Sequence, residues 1–345
     1  MRIIFFIIVL FWLSSIANCQ IFKGTVYDRS TDSTLSFAII YIGGTSIGTY
    51  SDLQGNFELD ISKYRSLPIS ISMLGYYTIT LPEHSSNKIY TIYLSPKVKE
   101  LNEIVITGKK GRWETYLRIF KREFLGETEN AVECDILNEK DLRFSYNSDS
   151  NTLRGFSSKP ILIHNKNLGY SITYYLDKFN YTRKRDNRDQ LTEKSTIVGN
   201  YLFEEDSLTL SESERKMVQE RRKSAYLGSR MHFFRLLYLH NLIQSGEYNI
   251  LLSDNTPNSK GFIIHSKTTI DSNSLIYRKD SLSAYLRYEG DLIITYNRMH
   301  STFNLNQDSL YFEKNGYFDP IGLSFSGDMS KERIADPLPF EYSLK

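Results

Sequence analysis

The sequence has little cysteine and almost no net charge. Its 345 residues include two cysteines, Cys19 and Cys134, and the first of them lies in a predicted targeting segment. An internal disulfide is therefore excluded for the remaining chain, which must be stabilised by its hydrophobic core. The formal net charge of +2 gives no electrostatic reason to expect a nucleic acid or an anionic membrane surface as the partner. We therefore predict no nucleic-acid binding.

Residues 1–19 are predicted to be a cleaved signal peptide. An arginine precedes an apolar run from Ile3 to Leu13, and small residues follow up to Cys19. The run is shorter than the roughly 20 residues of a membrane-spanning helix, and no later run reaches that length, so no transmembrane helix is expected after cleavage. Cleavage before Gln20 is favoured. The alternative is a lipoprotein signal with Cys19 acylated, for which Asn18 is an unfavourable preceding residue.

Aromatic residues are abundant, with 25 tyrosines and 20 phenylalanines against 2 tryptophans. Tyrosine is a good strand former, and it is also common at partly wet binding surfaces. The hydrophobic share of 41% and the charged share of 24% are typical of a folded protein. The length is sufficient for two domains of roughly 100–200 residues each.

Residues 20–106 are predicted to form an all-β sandwich. Short strand-like segments follow one another with polar or glycine-containing turns between them and without helical periodicity. Residues 45–59 are predicted to form a hairpin around a tight turn. In this turn the Asp52 carboxylate would accept backbone hydrogen bonds, Gly55 would adopt a left-handed conformation, and Phe57 would begin the buried side of the next strand.

Spaced residues in this domain carry a family resemblance. They are Gly24, Val26, Asp28, Ala38, Ile42, Gly44, Thr45, Gly48, Thr49, Ser51, Asp52, Gly55, Phe57, Leu74, Gly75 and Tyr76. In this pattern the segment resembles the carboxypeptidase-regulatory-like domain, a transthyretin-like β-sandwich of extracytoplasmic Bacteroidota proteins. The resemblance implies an accessory folding, docking or surface-binding module that carries none of the catalytic groups or zinc ligands of a carboxypeptidase.

Residues 101–108, Leu-Asn-Glu-Ile-Val-Ile-Thr-Gly, resemble the segment after this module in TonB-dependent outer-membrane receptors. The chain that follows is too short for the plugged barrel of about 22 strands found in such receptors. The simpler interpretation is a last strand that leads into a linker. Contact of residues 103–108 with a TonB-type protein is the alternative.

Residues 107–345 are predicted to form an α+β domain with an antiparallel sheet and two helical regions. Apolar residues at helical spacing from Trp113 to Phe124 predict the first helix, which ends at Gly126. Segments with strand character follow it. This region resembles the C-terminal half of Bacteroidota carboxypeptidase-like regulatory domain-containing proteins, and that resemblance implies no biochemical role.

The second helical region is predicted to begin with a capping box formed by Ser211 and Glu214. It extends to about residue 245 and is broken near Gly228. The basic residues between 215 and 223 indicate either contact with an anionic sugar or phosphate, or simply an exposed helix face. Residues 183–194 are predicted to be a charged, solvated loop.

No catalytic, cofactor-binding or metal-binding residue is predicted. The six histidines lack the spacing of a zinc site; they are His84, His164, His232, His240, His265 and His300. His232 and His240 are eight residues apart and could share a helix face, although ordinary packing explains them better. Ser46 lies in a Gly-x-Ser-x-Gly pattern, but strands are predicted on both sides of it, so a hydrolase nucleophile is not expected there.

Two further features have alternative interpretations. Glu204, Glu205 and Asp206 are adjacent carboxylates of the kind that a glycosidase uses. Because they precede a helix, they are better explained as charges that complement its dipole. Four serines directly follow an aspartate; they are Ser33, Ser207, Ser281 and Ser309. This pattern resembles the O-glycosylation sequon of Bacteroidota. The alternative interpretation is that each aspartate begins a turn that leads into a strand.

We predict a non-catalytic extracytoplasmic binding or assembly protein of the bacterial envelope, located in the periplasm or at the outer membrane. Its partner would be an envelope protein or a polysaccharide, bound through strand edges and tyrosine-bearing loops. One alternative is a hydrolase, either a peptidase or a glycosidase, with its site in residues 110–345. Another is an accessory protein of the TonB system. Converging carboxylates or a histidine-bearing pocket would favour the hydrolase, and a flat aromatic surface would favour binding.

The glycosylation hypothesis predicts the intact mass of the protein purified from its native compartment. Modified serines would add a hexose series to the mass of the chain, and replacement of Ser33, Ser207, Ser281 and Ser309 by alanine would remove it. A mass equal to that of the unmodified polypeptide would instead support the turn interpretation.

Overall fold

The structure is a computed structural model. It describes residues 20–97, 110–185, 191–206, 210–240, 242, 246–257, 263–269 and 271–344. The predicted signal peptide, residues 101–108 and Ser207 lie outside these ranges. Contacts divide the described chain into two compact units, which are residues 20–43 with 48–97, and residues 44–47 with those from 110 onward.

The first unit is a two-sheet β-sandwich, which confirms the predicted fold class. Its strands are β1 Ile21–Asp28, β2 Ile39–Ile42, β3 Gly48–Tyr50, β4 Asn56–Asp60, β5 Ile69–Ser72, β6 Ile79–Leu81 and β7 Ile89–Leu94. One sheet has the order β4-β1-β7 and the other has the order β3-β2-β5-β6. Residues such as Phe22, Ile40 and Ile71 are fully buried, and they form the core of this unit.

The hairpin predicted at residues 45–59 is wrong in its pairing. Strand β3 pairs with β2 in one sheet, whereas β4 pairs with β1 in the other. The turn between them therefore connects the two sheets. Its Asp52 carbonyl accepts a hydrogen bond from the Gly55 N–H at 3.0 Å, and Gly55 has a φ of +79°. Alternation at Phe57 and Leu59 indicates a buried strand face, but it does not identify the strand's partner.

The second unit contains antiparallel sheets and, in its described part, four helices. The helices are α1 Lys110–Leu125, α2 Glu129–Val132, α3 Glu212–Tyr226 and α4 Arg230–Tyr238. The strands are β8 Cys134–Ile136, β9 Leu142–Asn147, β10 Thr152–Ser157, β11 Ile161–Asn165, β12 Tyr170–Arg185, β13 Leu191–Glu205, β14 Tyr248–Pro257, β15 Ile263–Thr269, β16 Ile276–Arg278, β17 Ser283–Leu286, β18 Asp291–Tyr296, β19 Met299–Leu305, β20 Leu310–Glu313 and β21 Leu323–Gly327. Within the described ranges, no helix is both long enough and apolar enough to cross a membrane.

Three sheets organise this unit. The six-stranded sheet has the order β8-β11-β12-β10-β9, and β13 adds to β12. A five-stranded sheet has the order β15-β14-β18-β19-β21, and a three-stranded sheet has the order β16-β17-β20. Helix α1 packs on the six-stranded sheet. The Phe120 ring lies 4.6 Å from that of Phe179, and the Phe124 ring lies 4.8 Å from that of Tyr174.

The second helical region begins as the capping box predicts. The Ser211 hydroxyl accepts a hydrogen bond from the Glu214 N–H, and the Glu214 carboxylate accepts one from the Ser211 N–H at 2.8 Å. Gly228, with a φ of +82°, separates α3 from α4. The region ends at Tyr238 rather than near residue 245, and strand β14 begins at Tyr248.

The charged loop predicted at residues 183–194 is also wrong. Strand β12 continues to Arg185 and β13 begins at Leu191, so most of this segment is a paired hairpin. Arg183 and Glu193 are cross-strand neighbours, with Nε and Oε1 3.3 Å apart. The two strands satisfy each other's backbone groups, so a high content of charged side chains does not prevent strand formation here.

Close backbone approach explains one glycine of the first unit. Strand β1 runs parallel to β7, and a Cβ placed on Gly24 would overlap the carbonyl oxygen of Tyr90. We expect Gly24→Ala to destabilise the protein by about 2–4 kcal/mol, because the two strands must separate to admit the methyl group. Urea unfolding of the chain from Gln20, followed by circular dichroism, measures this loss.

Gly75→Ala is the matched control. Gly75 has a φ of +87° with open space around its Cβ position, so the change should cost only the backbone strain of about 1 kcal/mol. Equal losses in the two variants would contradict the steric explanation. Trp113, the only tryptophan after residue 19, reports separately on the second unit.

Candidate binding groove

An open groove of about 670 Å³ lies between helix α1 and one end of the six-stranded sheet. We call it the tyrosine groove, because three tyrosines from separate elements line it: Tyr116 of α1, Tyr146 of β9 and Tyr181 of β12. Ile119, Leu153 and Leu191 supply apolar contacts, and Asn151 supplies an amide. The remaining lining residues are the consecutive cations Arg183, Lys184 and Arg185 at the end of β12.

The packing of α1 determines the position of the groove. The buried rings of Phe120 and Phe124 hold the C-terminal half of the helix against the sheet. One turn earlier, Tyr116 is only half-buried, and its ring stacks on Tyr146 with centroids 6.0 Å apart and an angle of 26° between the ring planes. Tyr146 is 37% exposed, and its hydroxyl donates to the Asn151 side chain at 2.7 Å. The Tyr146 ring thus stays accessible beside its stacked partner.

The third tyrosine is held by charged neighbours. The Arg122 guanidinium lies 5.3 Å from the centroid of the Tyr181 ring and donates to the Tyr181 hydroxyl at 3.0 Å. Burial raises the pKa of Tyr181, so the hydroxyl stays neutral. Glu193 is an ion-pair partner of both Arg122 and Arg183, at 3.2 and 3.3 Å. Arg122 also pairs with Glu123 at 2.7 Å, so two carboxylates neutralise the Arg122 and Arg183 guanidinium groups.

A different part of the sheet brings a histidine, an aspartate and a serine together. The His164 ring lies 3.0 Å from the Asp206 carboxylate, which also accepts a hydrogen bond from the Ser171 hydroxyl at 3.0 Å. In this arrangement Asp206 stands between the other two. A hydrolytic triad requires the nucleophile to bond to the imidazole, and these contacts place Ser171 on the carboxylate instead.

His232 is buried at the turn between α3 and α4. Its Nδ1 accepts a hydrogen bond from the Gly228 N–H at 3.1 Å and lies 3.2 Å from the Tyr248 hydroxyl. Its Nε2 lies 3.6 Å from Glu247. His240, by contrast, is half-buried and contacts Asn273. The two histidines have separate partners, and His232 braces a helix turn.

Ser46 belongs by its contacts to the second unit. Its backbone N–H and its hydroxyl both donate to the Glu341 carboxylate, at 2.8 and 2.9 Å. The neighbouring Thr45 carbonyl accepts a hydrogen bond from the Phe203 N–H at 2.9 Å. The structure therefore gives Ser46 a carboxylate partner, in a bend that precedes β3.

The basic segment of α3 is not uniformly exposed. Arg222 is buried; it donates to the carbonyls of Leu168 and Gly169 and to the Glu205 carboxylate. Its guanidinium lies 3.9 Å from the centroid of the Tyr170 ring. Arg222 and Glu205 thus anchor α3 on the sheet. Across the described ranges, no group of three histidine, cysteine, aspartate or glutamate side chains is placed to hold a metal ion.

The predicted glycosylation residues lie outside the helices and strands wherever the structure describes them. Ser33 and Ser281 are exposed, and Ser309 is half-buried just before β20. Asp280 accepts hydrogen bonds from the N–H groups of Leu282 and Ser283, which is the geometry of a side-chain-stabilised turn. Glycosylation of these serines stays a prediction.

Asp28 joins two separated parts of the first unit. Its carboxylate accepts hydrogen bonds from the Ser30 N–H and hydroxyl, both at 2.6 Å, and from the Tyr76 hydroxyl at 2.7 Å. The hydroxyl groups of Ser30 and Tyr76 lower the pKa of Asp28 to about 2. Asp28 and Tyr76 belong to the spaced pattern found in the sequence, and their contact gives that pattern a structural cause.

Comparison with known families assigns the first unit. Residues 22–106 match the CarboxypepD_reg-like domain, which confirms the resemblance seen in the sequence. This segment is therefore a carboxypeptidase-regulatory-like domain, and the match ends before helix α1. A search among curated proteins found no match to the chain.

The environment of His232 predicts a pH dependence of stability. Burial lowers its pKa to about 4, and the nearby Arg235 adds to the shift. Between pH 6.5 and 4 the unfolded chain therefore binds a proton on this ring that the folded chain excludes. Stability should fall by up to about 3 kcal/mol as the pH drops through this window. Urea unfolding at several pH values, followed by Trp113 fluorescence, measures the effect.

His232→Gln should flatten the pH dependence between pH 6.5 and 4, whereas His164→Gln, at a half-exposed imidazole, should leave it in place. The stability that Asp28 contributes is lost only below pH 3.8, because the pKa of this carboxyl is lowered in the folded state. The two contributions are therefore separable. An unchanged slope in His232→Gln would contradict the assignment.

Proposed function

We propose that this chain, in which residues 22–106 form a carboxypeptidase-regulatory-like domain, is a non-catalytic binding protein of an extracytoplasmic compartment. The tyrosine groove is its binding site. The observation that carries this proposal is the composition of the groove, which combines three tyrosines and three consecutive cations and which, among the residues that the structure describes, is lined by no carboxylate or imidazole. Such a surface can hold a ligand, but these side chains offer no acid–base pair to cleave it.

The contacts of the titratable groups outside the groove support a binding role over a hydrolase. Ser171 bonds to a carboxylate, Ser46 does the same, and the His232 Nδ1 accepts a backbone N–H. In each case the contact stabilises a turn or a strand. Nucleophilic catalysis would need a hydroxyl that bonds to an imidazole base.

The size and shape of the groove support an extended ligand. A volume of about 670 Å³ falls within the range of roughly 300–1,000 Å³ that is typical of small-molecule sites. A segment of a polysaccharide or of an envelope protein matches this size, whereas a folded partner would need a larger surface. The extracytoplasmic location is supported by the predicted signal peptide and by the regulatory-like domain, whose resemblance implies a role outside the cytoplasm.

Affinity capture with matched variants tests the proposed function. The chain from Gln20 is immobilised and exposed to a panel of bacterial and plant polysaccharides and to a solubilised bacterial envelope extract. We expect wild type to retain at least one component, and Tyr116→Ala with Tyr146→Ala to retain it at least about tenfold less, because the stacking surface is removed. Components recovered after prolonged incubation should have unchanged chain length.

The control is Tyr277→Ala, which removes an exposed tyrosine on β16, outside the groove. All variants are compared by thermal unfolding, so that loss of fold is distinguished from loss of binding. Equal retention by wild type and the double variant would overturn the groove as the binding site. Shortened recovered chains would overturn the non-catalytic role and favour the hydrolase.

A further inference from the structure

The geometry of the tyrosine groove points to an acidic glycan as its ligand, specifically an oligosaccharide of uronic-acid units. This inference rests on the proposed function and adds the chemical class of the ligand. In it, the Tyr116–Tyr146 pair supports the face of a sugar ring, and Arg183 with Lys184 binds the carboxylate of a neighbouring sugar.

The charged groups among the described lining residues favour an anionic ligand. Arg183, Lys184 and Arg185 follow one another at the end of β12 and all line the groove. Glu193, the carboxylate in contact with Arg183, is shared with Arg122. Arg183 is 60% exposed at its side chain, so its guanidinium is accessible to a ligand. A guanidinium group binds a carboxylate through parallel hydrogen bonds, which adds geometric specificity to the charge.

The aromatic surface favours a ring-shaped ligand. Tyr116 and Tyr146 are stacked at an angle of 26°, both line the groove, and Tyr146 is partly exposed. A sugar ring has an apolar face of C–H groups that packs on such a surface, and it has hydroxyls at its rim. The Asn151 amide and the Tyr181 hydroxyl lie in the same lining and can exchange hydrogen bonds with those hydroxyls.

The floor of the groove argues against an acidic peptide. An extended peptide gains affinity mainly by adding its backbone to an unpaired strand edge. Strand β10, which contributes Leu153 to the groove, is paired with β9 on one side and with β12 on the other. At this strand the groove therefore offers side chains rather than a backbone ladder. Sugar hydroxyls and carboxylates match these side chains better than a peptide backbone does.

Titration of the chain from Gln20 with matched ligands tests the inference. The probes are oligogalacturonate, oligomannuronate and the carboxyl-reduced form of each, which keeps the sugar chain and removes the charge. Trp113 fluorescence and calorimetry report binding. We expect at least one uronate to bind at least about tenfold more tightly than its reduced form. Added salt should weaken the uronate far more than the reduced sugar.

Two variants assign the charge contact. Arg183→Gln and Lys184→Gln should each weaken uronate binding several-fold and leave binding of the reduced sugar unchanged. Arg154→Gln makes the same charge change on the neighbouring strand β10, at a position that alternates with Leu153 and does not line the groove. It should leave both affinities unchanged. Equal weakening by all three variants would overturn the assignment to the groove cations.

The remaining outcomes separate this inference from the proposed function. Equal affinity for a uronate and its reduced form, or binding of neither uronate, overturns the acidic glycan, while the capture experiment still decides whether the groove binds anything. Poly-glutamate that binds as tightly as the uronates identifies an acidic peptide and also overturns the inference. Uronate binding that survives Tyr116→Ala with Tyr146→Ala overturns both proposals.

Discussion

The packing of helix α1 on the six-stranded sheet is the interaction on which the proposed site depends. Phe120 and Phe124 are fully buried, and their rings interlock with those of Phe144, Phe179 and Tyr174. The N-terminal half of the helix also contacts the sheet, because the rings of Trp113 and Tyr116 pack on that of Phe144. The tyrosine groove lies beside this contact and is lined by Tyr116 and Ile119 of the helix. The position of the groove therefore follows from the packing of the helix on the sheet.

The polar groups of the second unit serve mainly to attach loops and the chain end to this core. Arg235 donates to the carbonyls of Asn315, Phe340 and Tyr342, and the side chain of Asn165 donates to the carbonyl of Ala335. Bonds to backbone carbonyls of this kind satisfy groups that would otherwise be buried without partners. The buried histidine, His232, has the same role at a helix turn. These side chains explain the fold of the unit, whereas the proposed recognition is assigned to the groove.

The first unit shows how a spaced sequence pattern corresponds to physical contacts. Gly24 permits the close approach of β1 and β7, Gly55 permits the turn between the two sheets, and Asp28 binds Tyr76 across 48 positions of sequence. These residues of the pattern therefore satisfy requirements that few other side chains could meet. This is why the pattern identified the domain from the sequence, whereas the resemblance of the second unit implied no role, and its candidate site had to be found in the structure.

Local features of this protein were determined by the sequence itself. The helix that ends at Gly126, the capping box at Ser211 and the strand character of residues 56–60 depend on neighbouring residues, and the structure contains all three. The partners of the strands and the position of the groove were decided only by the tertiary structure. Periodicity records which side of a strand is buried, but pairing β3 with β2 and β4 with β1 depends on contacts between distant segments. The same holds for Tyr116, Tyr146 and Tyr181, which are far apart in sequence and meet only because α1 packs across the sheet.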